Sequence, residues 1–176
     1  MAKHLVVDGF NVIRRDPELS RIERANFLGA QETLIRHLAR YRRGTAHRIT
    51  VVFDGAGGDR PFRQRSQREG IEVVFSARGE SADDVILGMT QAASGHQSGW
   101  VVVTADRSLA MACRTRQVGI LPPEQLLRIT RDSRGVPASP EFWHGKREEN
   151  GWVGHTRKKG NPRRASKQQR RTRTLW

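Results

Sequence analysis

The sequence predicts a three-layer α/β fold around a mostly parallel sheet, followed by a basic tail. Three observations carry that expectation. Apolar, β-branched runs recur at 5–7, 49–53, 71–75 and 100–103, with a weaker one at 118–121, and helical signals fall between most of them. The runs are continuously apolar instead of alternating, which suits strands covered on both faces. Three of them also end in an aspartate: "HLVVDGFNVI" (4–13), "ITVVFDG" (49–55) and "WVVVTAD" (100–106). A βαβ order of this kind implies helices on the sheet faces and right-handed crossovers.

The first run, 5–7, leads into Asp8, Gly9 and Asn11. A helix over about 22–42 follows, with Phe27, Leu28, Leu34, Ile35 and Leu38 on one stripe and Gly44 placed to end it. After the second strand, "GAGGDRPFRQRSQREG" (55–70) lacks the pattern of a strong helix. Its glycines and arginines predict a mobile basic loop joining strands two and three. A helix over about 82–93 turns Val85, Ile86, Met89 and Ala93 inward, and another spans about 107–116. The stretch "PPEQLLRI" (122–129) starts a short helix with proline in its first turn. Past residue 131 the periodicity is lost. The expected organisation is a domain over 1–130 and a disordered basic tail over 131–176, without internal repeats.

Charge points to the partner. The 176 residues carry a net charge of +14, and residues 151–176 hold nine Lys or Arg and no acid. Such a block has little apolar surface to bury, repels itself and attracts polyanions. Nucleic acid is the expected partner, because each neutralised phosphate releases condensed counterions. A membrane is disfavoured, since the tail has no amphipathic apolar stripe, no run approaches the roughly 18 apolar residues of a span, and the start lacks the apolar core of a signal peptide. The expected location is the cytoplasm. Cys113 is the lone cysteine, so neither an internal disulfide nor a cysteine-based zinc site is available, and it suits a buried helix position.

In open parallel sheets the functional crevice lies beyond the carboxyl ends of the strands. Asp8, Asp54 and Asp106 occupy such ends, and "RGESADDVI" (78–86) adds Glu80, Asp83 and Asp84 at the entry to the next helix. Gathered carboxylates repel one another unless a cation neutralises them, and hard divalent ions take oxygen ligands while keeping several waters. Structural roles compete at each position. Asp8–Gly9 and Asp54–Gly55 are turn pairs, Asp106 suits a helix N-cap, and Ser81 with Asp84 matches a capping box. Turn chemistry alone does not require an aspartate at the end of three separate buried strands. Asn11 either holds a phosphate oxygen or bound water without adding charge, or makes a local turn hydrogen bond. Other site patterns fail: there is no G-x-G-x-x-G, no G-x-x-x-x-G-K-[ST], no G-x-S-x-G and no His-x-x-x-His pair, so no small-molecule cofactor is expected.

As an ordered set, "LVVDGFNVI", "VVFDG", "GIEVVFSARGESADDVI" and "VVVTADRSL" resemble the NYN domain of the YacP-like family, a branch of the PIN-like nucleases, over about residues 4–130. The resemblance implies a PIN-like, Rossmann-like fold, divalent-metal binding and RNA cleavage, in a family linked to ribosome-associated mRNA endonuclease activity. It also implies site residues. Asp8 matches the first metal-site aspartate and Asn11 the asparagine after it, while Asp83 matches the aspartate of E-[ST]-A-D and Asp106 the one closing the fourth strand. Asp54 and Glu80 match positions of less defined role, and Asp84 stands where many relatives have a small polar residue.

The expected activity is therefore a Mg²⁺- or Mn²⁺-dependent endoribonuclease, with Asp8, Asp83 and Asp106 as ligands and Asn11 orienting the phosphate or a water. Arg60, Arg63, Arg65 and Arg68 would guide the RNA backbone, unless they form only a solvated loop. In the tail, Arg157, Lys158, Lys159, Arg163 and Arg164 would attach to phosphates of RNA, including the ribosome's. Trp143, Trp152 and Trp176 would stack on bases, or the first two would cover the domain. The rivals are an RNA- or ribosome-binding protein without catalysis, and a nuclease acting on DNA.

Overall fold

The computed structural model describes residues 2–55, 61–93 and 99–131. The tail, with its tryptophans and basic residues, and Arg60 lie outside these. A six-stranded sheet in the order β3-β4-β2-β1-β5-β6 forms the middle layer. Its strands are β1 (His4–Asp8), β2 (Arg48–Phe53), β3 (Gln64–Arg68), β4 (Ile71–Phe75), β5 (Trp100–Val103) and β6 (Gly119–Leu121). All neighbours run parallel except the edge pair β3–β4. The helices are α1 (Gly9–Arg15), α2 (Pro17–Ala25), α3 (Phe27–Arg43), α4 (Ala82–Ala92), α5 (Arg107–Arg114) and α6 (Pro123–Arg131).

Period-two alternation along the strands splits the core between the two sheet faces. Leu5, Val7, Val51, Phe53, Val73 and Val103 face the layer containing α1, α3 and α6. Val6, Val52, Val74 and Val102 face α4 and α5, whose contributions include Val85, Ile86, Leu109 and the fully buried Cys113. Strands β1, β2, β4 and β5 are thus covered on both faces, which is why their sequences read as largely unbroken apolar runs.

The structure departs from the sequence expectations in two places. The helix expected over 22–42 is instead two, and a further helix precedes them. Asp16 ends α1 and caps α2, with Pro17 in the first helical position, and Asn26 ends α2 and caps α3 through Gly29 N at 2.9 Å. Because α3 begins at Phe27, its inward stripe starts at Ala30, leaving Phe27 39% and Leu28 66% exposed. Second, residues 64–68 of the expected loop form the edge strand β3. They pair with β4 through a two-residue turn at Glu69 and Gly70, both at positive φ, as a tight hairpin turn demands. Every β3 residue is exposed, so "QRSQR" carries no apolar alternation to announce a strand.

From β1 the chain builds outward through β2 to β4, then returns to the opposite side of β1 for β5 and β6. The strand order therefore reverses between β1 and β5. That reversal opens a crevice beyond their carboxyl ends.

Candidate functional site

Asp8 closes β1 and at once caps α1, accepting the Asn11 backbone N–H at 3.1 Å. No loop intervenes, and Gly9 shows why: a Cβ there would lie 2.2 Å from the Phe53 ring, so only glycine lets the helix start directly on the strand. Thr104, just past β5, donates its hydroxyl to the other Asp8 oxygen at 3.3 Å and accepts from Asp106 N at 3.0 Å. The Asn11 side-chain oxygen accepts from Ala105 N at 2.9 Å. Two side chains from the β1–α1 junction thus hold the β5–α5 junction across the switch point.

Asp54, following β2, accepts the backbone N–H of Ala82 at 2.6 Å and so anchors the first turn of α4. Gly55 beside it is pinned to Ser76 after β4, with N–H to Oγ 2.9 Å, and a Cβ would collide with the Ser76 carbonyl at 2.4 Å. Asp106 caps α5 through Leu109 N at 2.8 Å. Asp83 projects from the first turn of α4. The N-termini of α4 and α5, where helix dipoles favour negative charge, therefore meet at the same edge as the carboxylates.

The electrostatics set two members apart. Asp8 is 8% exposed, and burial pushes its carboxyl up to about 6, with Asp83 and Asp54 adding repulsion against the lowering effect of the Asn11 and Thr104 hydrogen bonds. Asp83 is raised too, by burial and then by Asp106, Asp54 and Asp84. The remaining acids are engaged differently. Asp84 forms the capping box with Ser81, whose hydrogen bonds lower its pKa. Glu80 holds Arg63 in a two-pronged ion pair, with Nε 2.9 and 2.8 Å from its oxygens, and accepts from Ala77 N, and the Arg63 bond lowers its pKa.

The arginines divide in the same way. Arg63 is bound to Glu80, and Arg65 lies 3.4 Å from Glu72. Arg68 makes no ion pair with any described residue. Thr104 and Ser76 were not singled out from sequence. Thr104 lies inside the "VVVTAD" stretch, where the adjoining aspartate draws attention away from it, and Ser76 has no signal beyond its place after a strand.

Among the described residues, no three His, Cys, Asp or Glu side chains form a ready set of metal ligands. The donors nevertheless fit a hard divalent ion that keeps most of its waters and takes one or two carboxylates. They are all oxygen, they repel one another, and at Asp8 burial penalises the negative charge that a cation would neutralise. Asp8 and Asp83 are the pair suited to hold it, with Asp106 beside them.

Comparison with known proteins identifies the fold and the family. The profile of the YacP-like NYN domain matches residues 5–148, running past residue 130 where the recognisable motifs stop. The uncharacterised protein YacP of Bacillus subtilis (strain 168) is 32% identical over 102 residues, which span 58% of this chain and 59% of that relative. The crystal structure of Rae1 (YacP) from Bacillus subtilis superimposes with a TM-score of 0.63 at 27% identity, covering 74% of this chain and 75% of that one. A mutant of it gives the same TM-score at 28% identity, covering 74% of this chain and 76% of that one. Among the described residues no helix is long and apolar enough to cross a membrane. With its profile and its sheet in agreement, this chain belongs to the YacP-like NYN domain family of PIN-like nucleases.

Proposed function

We propose that the protein is a divalent-metal-dependent endoribonuclease acting on RNA, including mRNA on the ribosome, in the cytoplasm. The observation that carries this is the gathering of Asp8, Asp54, Asp83 and Asp106 at one sheet edge, with burial and mutual repulsion raising Asp8 and Asp83. A structural carboxylate at a strand end has no need of such company. Asp8, Asp83 and Asp106 hold Mg²⁺ or Mn²⁺. When bound, that ion supplies a nucleophile at neutral pH and neutralises charge on the attacked phosphodiester.

The chain's own residues supply the positioning. Thr104 and the Asn11 backbone fix the Asp8 carboxylate, and Asp54 fixes the turn that presents Asp83. The Asn11 amide oxygen is occupied by Ala105 N, so its NH₂ is the part available to orient a phosphate or a water. Arg68 and the tail cations Arg157, Lys158, Lys159, Arg163 and Arg164, with Arg60, bind the RNA backbone without sequence preference. Arg63 and Arg65 serve the fold first through Glu80 and Glu72.

A labelled single-stranded RNA incubated with Mg²⁺, Mn²⁺ or chelator, beside an Asp8→Asn control, tests this directly. Internal cuts that need the metal and vanish in the control are expected, and the same sequence as DNA should be cut less. That no three acids among the described residues form a ready ligand set favours one rival, an RNA-binding protein without catalysis. That rival predicts binding without cuts, both in dilute solution and on translating ribosomes, and the same affinity in Asp83→Asn.

A further inference from the structure

A second feature lies along the sheet edge. Helix α3 packs on β2 and β4, while β3 beyond them is exposed along its whole length. Between α3 and β3 runs a groove of about 630 Å³, within the size range of small-ligand sites. It starts at the carboxylate edge, where Asp54, Gln64 and Phe75 lie, and extends beside β3 to Arg68.

Three properties of the groove point to one kind of occupant. Its two aromatic walls are rigidly supported. Phe27 contacts Phe10 (centroids 4.9 Å), Phe10 contacts Phe53 (5.1 Å) and Phe53 stacks on Phe75 (5.6 Å), so the two groove-lining rings end one buried aromatic ladder. Exposed apolar side chains at the start of α3 are thereby held in place, as a stacking platform requires. Next, Gln31 lines the groove at 3% exposure, yet its amide makes no hydrogen bond to any described residue. That amide offers a donor and an acceptor side by side, the pattern that reads a base edge. Finally, the ionic groups balance, Arg65 and Arg68 against Glu32 and Asp54. A polyanion alone would want a basic groove. A flat heteroaromatic ring with polar edges, carried on a single phosphate chain, fits better.

We infer that this groove binds a nucleobase of the single-stranded substrate, stacked on Phe27 and read by the Gln31 amide, next to the carboxylate edge. The inference rests on the proposed nuclease reading only for its substrate, since the groove would equally bind RNA that is never cut. The assignment makes Gln31 a specificity residue and Phe27 an affinity residue, and places Arg68 at the far end of the groove on the flanking phosphate.

The test uses the full chain in chelator, so that binding is read apart from cleavage. Single-stranded RNA carrying 4-thiouridine is photocrosslinked and the adduct mapped by peptide mass spectrometry. Adducts within residues 27–32 or at Phe75 are expected, and Phe27→Ala should lower their yield about tenfold, the scale of one lost base stack. Phe27 is partly exposed, so that variant should fold, as a thermal melt would verify. With metal present, Gln31→Leu should flatten the base preference at one position of a randomised oligonucleotide. Adducts confined to the tail would overturn the inference, whether or not the RNA is cut. Groove adducts, together with no cutting in metal either in dilute solution or on translating ribosomes, would uphold it and refute the nuclease reading. Unchanged crosslinking in Phe27→Ala would also overturn it.

Discussion

The two ends of the sheet each bury a carboxylate, and they treat it in opposite ways. At the amino end, Glu72 is 9% exposed, close to the 8% of Asp8 at the carboxyl end. Burial raises the pKa of both groups. At Glu72 this is outweighed by the Thr50 hydroxyl at 2.9 Å and the Arg48 and Arg65 guanidinium groups, and the net shift is downward. At Asp8 the neighbours include Asp83 and Asp54, and its pKa rises to about 6. Thr50 in turn pairs with His4 at 2.8 Å, and His4 packs on Trp100, so the amino end forms a closed polar row across the sheet. Burial of an acid is therefore not itself a sign of function. A buried acid surrounded by other acids points more strongly to a site, because a bound cation would relieve both the burial and the repulsion.

The sharpest way to break this contrast is cleavage. Asp8→Asn and Asp83→Asn should each lower RNA cleavage on the order of a thousandfold, the loss expected when an ion that stabilises the transition state is no longer held. Glu72→Gln should leave the rate within about twofold, because its removal disturbs no group at the switch point. Gel-resolved single-turnover cleavage would check both, and similar losses at the two ends would end the distinction.

Stability should separate the ends by sign. Asp8 titrates near 6 when folded and near 3.8 when unfolded, so the folded state holds this proton more tightly. Its contribution is full below pH 3.8 and is lost as pH rises through about 6, a swing of about 3 kcal/mol. Asp8→Asn removes the charge, and should stabilise the protein by on the order of 2 kcal/mol at pH 7.5, with the gain fading as pH falls towards 4. Glu72→Gln should instead cost up to about 1 kcal/mol at pH 7.5, since two largely exposed arginines lose their counter-charge. Urea unfolding at several pH values would read both.

Added Mg²⁺ sharpens the comparison without reference to activity. An ion that binds only the folded state raises the melting temperature by mass action. The wild-type protein should show that rise, and Asp8→Asn should show little of it, whereas Glu72→Gln should retain it. The smallest effect belongs to Arg63→Ala. Its pairing with Glu80 is largely exposed, so stability should change by less than about 1 kcal/mol in a denaturation series.

Much of this was legible in the sequence, for physical reasons that also explain the failures. Parallel strands buried on both faces announce themselves, and their terminal aspartates mark the edge where α4 and α5 begin. Strand β3 was illegible as a strand because an exposed edge needs no apolar residue, although Glu69–Gly70 before "IEVVF" was a usable turn signal. Helices α1 and α2 were missed because the apolar residues of "GFNVI" follow the strand without a break. Asp16 before Pro17 did announce the start of α2. The groove beside β3 could not be read at all, since Phe27, Gln31 and Phe75 meet only once the sheet and α3 are packed.

The bond from Asn11 to Ala105 joins residues 94 positions apart, and its donor lies in an irregular segment between β5 and α5. Backbone amides in such segments usually exchange with solvent deuterium within moments. Here Ala105 and Asp106 are both tied to side chains, one to Asn11 and one to Thr104. Their exchange should follow the parting of the two junctions, which gives two isotopic clocks seated inside the crevice. Either clock would run fast once the β1–α1 and β5–α5 junctions part, long before any strand is lost.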